Sequence, residues 1–218
     1  IHSRFGWQGH SPLRLQWQQV IWVLICSLLI AGNAPAADSG ATAVVRNTTE
    51  RLLTTLENKR PEIDRNPKSI YSLVDDILVP QFDFDKITEV AVGKASWSQA
   101  SPQQQQALTN EFREILIRTY AKSLLSYSGQ EVRYLPEKPG RQPSTVTVST
   151  EVREAGSPPI PIDYRVYQKG GAWKVYDVVI DHASLVANYR DSFDTQIRRK
   201  GIDSLIARLG EMNRKGEG

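Results

Sequence analysis

The chain has 218 residues, of which 40% are hydrophobic and 23% are charged, a composition typical of globular proteins. Lysine and arginine total 27 against 24 acidic residues, which gives a formal net charge of +3 and a pI of about 9.0. Two of the arginines lie in residues 1–36, which we predict to be removed, and their loss lowers the formal net charge to +1. A nucleic-acid partner would require a concentrated basic surface, so the charge does not support one.

Residues 1–36 have the layout of a secretory signal peptide. Basic residues without any acid are followed by an apolar run over residues 20–31 and by small residues at the end. The run is shorter than the ~20 residues that a membrane-spanning helix needs. Cys26 could indicate a lipoprotein, but Ile25 precedes it where lipidation requires a small residue, so an ordinary signal peptide is favoured. We predict residues 37–218 to be a single exported domain without a disulfide.

Residues 43–128 form the predicted helical half of this domain. Apolar residues at helical spacing predict one helix over residues 43–59, ended by Pro61, and a second from Pro67 to a stop at Pro80. The apolar stripe of the first helix is formed by Val44, Val45, Leu52, Leu53 and Leu56.

Two later helices carry capping signals. Asp83 is a predicted N-cap and Gly93 a predicted C-terminal stop for a helix over Phe84–Val92. Ser101-Pro102 places an N-cap before a proline at the first helical position. The helix that it opens is predicted to reach about Tyr127.

The apolar period changes from 3.6 to 2 over residues 130–180. Helical periodicity then returns over residues 184–212, in two predicted helices at 184–197 and 202–212. Helices segregated from a run of strands predict an α+β fold. Four β-rich runs separated by Pro/Gly segments predict consecutive antiparallel strands, the last two forming a hairpin, over residues 131–135, 144–153, 161–168 and 173–180.

The last predicted strand, WKVYDVVI, is apolar on both faces. Because the KGG turn before it allows a register shift by one, the sequence leaves open which face meets which face of the hairpin partner. In either register, an apolar surface is predicted on both sides of the sheet. Under strict alternation three apolar side chains fall on each face: Trp173, Val175 and Val179 on one, Tyr176, Val178 and Ile180 on the other.

The sequence contains no persuasive catalytic set. His182 is the one histidine of residues 37–218 and has Asp181 and Ser184 nearby. Neighbours along one strand end point in different directions, whereas a triad brings its members together from separate elements. Dinucleotide-binding, P-loop and G-x-S-x-G motifs are absent from the sequence, and one histidine without cysteine cannot form a tetrahedral zinc site. We therefore predict no enzyme activity, no metal and no cofactor.

Several acidic residues allow both a ligand role and a structural role. Asp75-Asp76, or Asp83 with Asp85, could hold a hard cation, but a helix-surface pair and a helix cap are favoured. Asp177 lies inside an apolar strand and could be a ligand or a base. A pair with Arg165 on the neighbouring strand is favoured, because opposite charges across a hairpin stabilise each other.

Large apolar side chains are numerous in segments that have little else to cover them. Their pattern alone does not distinguish a solid core from a cavity for an apolar ligand. The residues are Phe82, Phe84, Val90, Val92, Trp97, Phe112, Tyr120, Tyr164, Trp173 and Tyr176.

A family resemblance favours the cavity. The segments GGAWKVYDVVIDHASLVANYRDSF and KGIDSLIARL, with VGKASWSQASPQQQQALTNEFREILIRTYAKSLLSYSGQEV ahead of them, resemble the MlaC family. These periplasmic phospholipid-binding proteins of the Mla (maintenance of lipid asymmetry) system are also called the toluene-tolerance auxiliary family. The resemblance covers nearly all of residues 37–218. One departure concerns the local turn at His182, where the family often has glycine.

The resemblance implies a non-enzymatic carrier with a phospholipid as its cargo. The implied fold is a curved four-stranded antiparallel sheet wrapped by helices, with an apolar lipid cavity of about 1,000 Å³ or more between them. The carrier would exchange lipid in the periplasm between an outer-membrane lipoprotein–porin complex and an inner-membrane ABC transporter complex. A monomer is expected by default, since the sequence contains no argument about the oligomeric state. The alternative is an exported interaction module that docks membrane complexes through a solid core and carries no lipid.

In the carrier hypothesis, the lipid tails cover the second apolar face of the sheet. Tryptophan at Val146 or Val148 is then expected to block the cavity without preventing folding. Arg190 is a candidate contact for the phosphate, with a structural salt bridge as its alternative. The candidate lipid-binding residues are Phe82, Phe84, Val90, Phe112, Leu116, Tyr120, Val146, Val148, Tyr164, Val166, Trp173, Tyr176, Val178 and Arg190.

Overall fold

A computed structural model of the chain describes residues 40–140 and 142–216, which fall within one compact unit, Asp38–Gly218. The predicted signal peptide over residues 1–36, with Cys26, lies outside the described residues. None of the described helices combines the length and the hydropathy that crossing a membrane requires.

The described residues form eight α-helices and two short 3-10 helices, at Val79–Gln81 and Lys122–Ser126. The second 3-10 helix continues the longest α-helix, so the predicted helix to about Tyr127 changes type after Ala121. Helices at Arg60–Arg65 and Lys94–Gln99 are additional to the prediction. The α-helices are α1 (Gly40–Asn58), α2 (Arg60–Arg65), α3 (Ser69–Ile77), α4 (Phe84–Val92), α5 (Lys94–Gln99), α6 (Pro102–Ala121), α7 (Ala187–Lys200) and α8 (Ile202–Lys215).

Six antiparallel strands form one sheet in the order β1-β3-β4-β5-β6, and β2 pairs with β3 beside β1. The α+β class and the four main strands are confirmed, while the predicted strand number of four omitted two strands of two residues each. The strands are β1 (Glu131–Tyr134), β2 (Lys138–Pro139), β3 (Thr145–Arg153), β4 (Ile160–Lys169), β5 (Ala172–Ile180) and β6 (Ala183–Ser184).

The capping signals operate as the sequence predicts. The Ser101 hydroxyl accepts a hydrogen bond from the Gln104 N–H at 3.2 Å, while the Gln104 side chain accepts one from the Ser101 N–H at 2.9 Å. This reciprocal capping box satisfies two backbone donors at the start of α6. Asp83 caps α4 by accepting from the Lys86 N–H at 3.1 Å, and Gly93 ends α4 with a φ of 88°.

A β-bulge in β5 resolves the question of its two apolar faces. Tyr164 pairs with Val178, but Val166 pairs with Val175, so β5 contains one more residue than β4 across this interval. Paired residues share a face of the sheet, and the bulge therefore turns Val175, Val178 and Ile180 toward the same side. The prediction of apolar surfaces on both sides of the sheet is wrong, because strict alternation ends at the bulge.

The opposite face of β4 and β5 carries polar and aromatic side chains. The Tyr176 ring contacts the Tyr167 ring edge-on, with centroids 5.7 Å apart. The Asp177 carboxylate accepts a hydrogen bond from Arg165 at 2.7 Å, which confirms the favoured cross-strand pair. The Ser184 hydroxyl donates to the same carboxylate at 2.8 Å. These contacts leave the inner face of the sheet as its apolar face.

The first half of α1 covers one end of this inner face. Ala41 and Val45 pack against Val148, Val166 and Val175 in a buried cluster. The helix starts so close to the sheet that a β-carbon on Gly40 would lie 2.9 Å from the indole nitrogen of Trp173. Polar contacts also hold α1, since the Thr42 N–H donates to Glu137 at 3.0 Å and the Arg46 guanidinium stacks on the Tyr134 ring.

Two further buried clusters lie among the helices. The first joins α4, α6, α7 and α8 around Phe112, which contacts the rings of Tyr189 and Phe193 edge-on. The second joins the latter half of α1 with α2, α3 and the end of α6, around Ile70. The apolar core is therefore divided into three clusters, and the two helical clusters contain none of the described strand residues.

Asp83 connects the helical half to the β4–β5 hairpin. Its N–H donates to the Val175 carbonyl at 2.9 Å, and its buried carboxylate accepts from Tyr167 and pairs with Lys169 at 2.7 Å. Burial by itself would raise the pKa of Asp83, but the bonds from Lys169, Tyr167 and the Lys86 N–H outweigh it and hold that pKa below 3.8. Charged Asp83 thus stabilises this junction.

We expect Asp83→Asn to lower the free energy of unfolding by about 1–3 kcal/mol near neutral pH, because the variant keeps a capping oxygen but loses the charge. Since the folded-state pKa lies below the unfolded value, the contribution is present above 3.8 and is lost as the pH falls through the folded pKa. Urea unfolding of both proteins at neutral and at acidic pH measures the difference. The exposed Asp85→Asn variant is the control, and an equal loss in both variants would contradict this role.

A cavity between the helices and the sheet

A cavity of about 730 Å³ lies where the three buried clusters meet. Its volume is within the ordinary range for small-molecule sites and smaller than the value of about 1,000 Å³ or more expected from the sequence. Most of its lining is aliphatic or aromatic, with walls from α1, the α3–α4 region, α6 and the sheet.

One face of α1 forms a wall that the candidate list omitted. The apolar pairs Val44–Val45 and Leu52–Leu53 both border the cavity. Val45 and Leu52 are buried, while Val44 and Leu53 are half-buried beside the open space. The two pairs of adjacent apolar residues are eight positions apart and therefore lie on the same side of the helix. They make its apolar stripe wider than the stripe needed to pack against one neighbouring element. That width was the signal available in the sequence.

Different faces of the helix α6 lie in the core and along the cavity. Leu116 and Tyr120 border the cavity, whereas Phe112 lies fully buried in the α4–α6–α7–α8 cluster. Burial raises the pKa of the Tyr120 hydroxyl to about 12, with the neighbouring Tyr189 contributing. Phe82 and Phe84, at the start of α4, stack with their ring centroids 6.0 Å apart and complete this side of the cavity.

The sheet contributes the half of its inner face that α1 leaves uncovered. The strand β5 supplies Val178 and Ile180, which the bulge has turned inward, and β4 supplies Ile162 and Tyr164. Burial raises the pKa of Tyr164 to about 12, and its hydroxyl has hydrogen-bonding partners in Thr150 and Thr49. This polar group is therefore satisfied by the protein and does not need a polar ligand atom.

The exposed lining residues occur in two stretches, at residues 123–128 after α6 and residues 154–160 between β3 and β4. Serine dominates the first stretch, and Glu154 with Ser157 marks the second. Ile160, 48% exposed, is the large hydrophobic residue of this rim. We take these two stretches as the mouth of the cavity.

Six of the fourteen candidate residues border the cavity: Phe82, Phe84, Leu116, Tyr120, Tyr164 and Val178. Seven others lie elsewhere in the packing. Val90 and Phe112 belong to the cluster around α6, and Tyr176 packs on the outer face of the sheet. The remaining four, Val146, Val148, Val166 and Trp173, pack beneath the first half of α1.

Arg190 is exposed on α7, beside Gly93, and is not among the residues that line the cavity. Val148 is fully buried, so tryptophan at this position would overpack a solid cluster and cost about 1–3 kcal/mol or more of stability. The structure therefore makes Val148 unsuitable for blocking the cavity without disturbing the fold.

His182 occupies the two-residue turn between β5 and β6. Asp181 and His182 have φ values of 48° and 66°, the left-handed geometry of a tight hairpin turn that favours glycine. The Ser184 hydroxyl is bonded to Asp177 and caps the Ala187 N–H at 3.0 Å. These residues thus form a turn and a helix start. The described part of the chain contains no cluster of three or more histidine, cysteine or acidic residues that could hold a metal.

Comparison with known proteins identifies relatives over most of the described residues. The family model for the MlaC protein matches residues 46–211. The toluene tolerance protein ttg2D of Pseudomonas putida is 29% identical over 160 residues, which cover 73% of this chain and 74% of the relative. The intermembrane phospholipid transport system binding protein MlaC of Haemophilus influenzae is 21% identical over 197 residues, 89% of this chain and 91% of the relative.

A solved structure has the same architecture. The phospholipid-binding protein from Ralstonia solanacearum, determined in complex with a phospholipid, superposes with a TM-score of 0.73 and 34% sequence identity. The match covers 82% of this chain and 99% of the solved chain.

The division between core and lining residues predicts different costs of truncation. Phe112→Ala is expected to lower the free energy of unfolding by about 3–5 kcal/mol, because it opens a void in a filled cluster. Val178→Ala is expected to cost less than about 2 kcal/mol, since one side of Val178 already faces open space. Urea unfolding of the delipidated proteins, followed by circular dichroism, measures both values. Equal costs would contradict the assignment of the two positions.

Proposed function

Because the chain belongs to the MlaC family, we propose that it is a phospholipid carrier that holds the acyl tails of its cargo in the cavity. The observation that carries the proposal is an open apolar space of about 730 Å³ between the sheet and the helices. The phospholipid bound by the structurally similar Ralstonia protein supports it. The carrier acts without catalysis and needs no cofactor, since its cargo enters and leaves chemically unchanged.

The hydrophobic effect explains why such a carrier is needed. Each methylene removed from water contributes about 0.8 kcal/mol, so one tail of ~16 carbons represents roughly 12 kcal/mol and two tails roughly twice that. A free phospholipid therefore crosses an aqueous gap at a negligible rate. The cavity lowers this cost by replacing water around the tails with aliphatic and aromatic side chains.

The distribution of polar groups defines how the lipid lies. The interior lining is apolar, and the Tyr164 hydroxyl within it is occupied by Thr49 and Thr150. Serine and glutamate side chains are concentrated at the mouth, near Ser126, Glu154 and Ser157. The tails accordingly point inward and the headgroup remains at the mouth, in contact with water.

The acyl tails contact the residues that line the cavity. The candidate residues that pack in the clusters without bordering the cavity do not contact the tails and instead stabilise the elements that form the cavity walls. Of the original candidates we retain Phe82, Phe84, Leu116, Tyr120, Tyr164 and Val178 as direct contacts, and we add Val44 and Leu53 from α1. Arg190 is not retained as a phosphate contact, because it is not among the residues that line the cavity.

The proposed route follows from the family. The carrier moves through the periplasm between an outer-membrane lipoprotein–porin complex and an inner-membrane ABC transporter complex, and so maintains lipid asymmetry of the outer membrane. The alternative, an interaction module with a solid core, does not account for a cavity of this size. A chain that only docks membrane complexes would have no need for apolar walls around an open space.

We expect phospholipid in near-stoichiometric amount in organic extracts of the purified protein, measured by mass spectrometry. Val178→Trp fills the cavity, and displacing that side chain costs about 1–3 kcal/mol, equivalent to about 5- to 150-fold weaker lipid binding. The matched control is Val179→Trp, one residue further on and on the outer face of β5. Absence of phospholipid from the wild type, or equal occupancy in both folded variants, would count against the proposal.

A further inference from the structure

We infer that the mouth of the cavity favours phospholipids with a zwitterionic, amine-bearing headgroup over phospholipids with a net negative headgroup, through the carboxylate of Glu154. The inference rests on the proposed function, because it concerns the headgroup of a lipid whose tails occupy the cavity. It gives the mouth a preference between lipid classes that the apolar lining cannot provide.

The charge of the lining is the first observation. None of the described residues that border the cavity is lysine, arginine or histidine. A lipid phosphate held in the usual way would have met a basic side chain there. Glu154 is the exposed acidic residue among these lining residues, while Asp177 is buried and already bonded to Arg165 and Ser184.

The alternation of β3 explains why Glu154 meets the cavity and its basic neighbour does not. Val132 and Val152 pair on the inner face and line the cavity, so Arg153 projects from the outer face and Glu154 follows on the inner side. The Arg153 guanidinium is bonded to the Glu151 carboxylate at 2.7 Å on that outer face. It therefore does not neutralise Glu154.

Basic groups on the other side of the mouth are matched by acids. The Arg60 guanidinium donates to the Tyr127 carbonyl at 2.7 Å and is paired with Asp64 at 3.0 Å. Lys122 is exposed next to this rim, and Glu57 lies on the same side, where its carboxylate accepts from the Tyr127 hydroxyl at 3.1 Å. These two basic and two acidic side chains together carry no net charge, which leaves the Glu154 carboxylate as the excess charge of the mouth.

The two headgroup classes interact oppositely with that excess charge. An ammonium group offers three hydrogen-bond donors, which a carboxylate and the neighbouring serine hydroxyls can accept. In a headgroup without a cation, no positive group compensates the negative phosphate, which is therefore repelled by the Glu154 carboxylate. Because the mouth is solvated, the difference corresponds to an exposed ion pair, and we expect a preference of about two- to fivefold that decreases at high ionic strength.

The test loads the delipidated protein, without the predicted signal peptide, from vesicles of equimolar phosphatidylethanolamine and phosphatidylglycerol with identical acyl chains, at low ionic strength. Mass spectrometry of extracts measures the total lipid per chain and the ratio of the two lipids. The wild type is expected to favour phosphatidylethanolamine about two- to fivefold. Glu154→Gln should bring the ratio close to equality, and Glu154→Lys should reverse it. Glu211→Gln, the same charge change on an exposed residue of α8, is the control and should retain the wild-type ratio.

The two measurements separate the two proposals. Normal total lipid with an even ratio in the wild type overturns the headgroup preference and leaves the carrier proposal intact. A preference that Glu154→Lys leaves unchanged, or that Glu211→Gln also abolishes, overturns the role of Glu154. Lack of any lipid in the wild type overturns the carrier proposal itself.

Discussion

The cavity depends on one extra residue in β5. Without the bulge at Tyr176, alternation would direct Val178 to the face opposite Val175, and β5 would turn Asp177 and Val179 toward the cavity in place of Val178 and Ile180. With the bulge, Val175 packs under α1 and borders the cavity, while Val178 and Ile180 line the cavity further along the same strand. The bulge therefore places Val175, Val178 and Ile180 on one face of β5. This face packs against α1 at one end and lines the cavity at the other.

The second requirement is that the core remain divided. Close packing would normally remove a space of this size, since unfilled volume forfeits dispersion contacts. Here each wall is stabilised from behind by its own cluster, around Phe112, around Ile70 and around Val148. The helix α1 belongs to two of these clusters and holds the sheet and the helical half at a distance from each other. The elements that form the walls are consequently stable even though their side chains do not fill the cavity.

This arrangement suits the chemistry of the proposed cargo. Hydrocarbon tails offer no directional contacts, so an aliphatic lining binds them by area and places few demands on their length or unsaturation. Under the proposal, selectivity comes from the mouth, where serine hydroxyl groups and the Glu154 carboxylate border the space that the headgroup would occupy. Interactions in that solvated position are weak, which is compatible with a protein that must release its cargo as well as collect it.

The sequence was sufficient to predict the helix caps at Asp83 and Ser101, the succession of helices and strands, and the Arg165–Asp177 pair. Each of these features depends on residues that are neighbours in the chain or directly paired across two strands. The family could be predicted because its motifs extend over long segments of the sequence.

The division between core and cavity required the tertiary structure. Phe112 and Leu116 lie one turn apart on α6, and packing of α7 and α8 decides which is enclosed. The bulge likewise follows from how β4 and β5 pair, and the residues around Tyr176 carry no local signal for it.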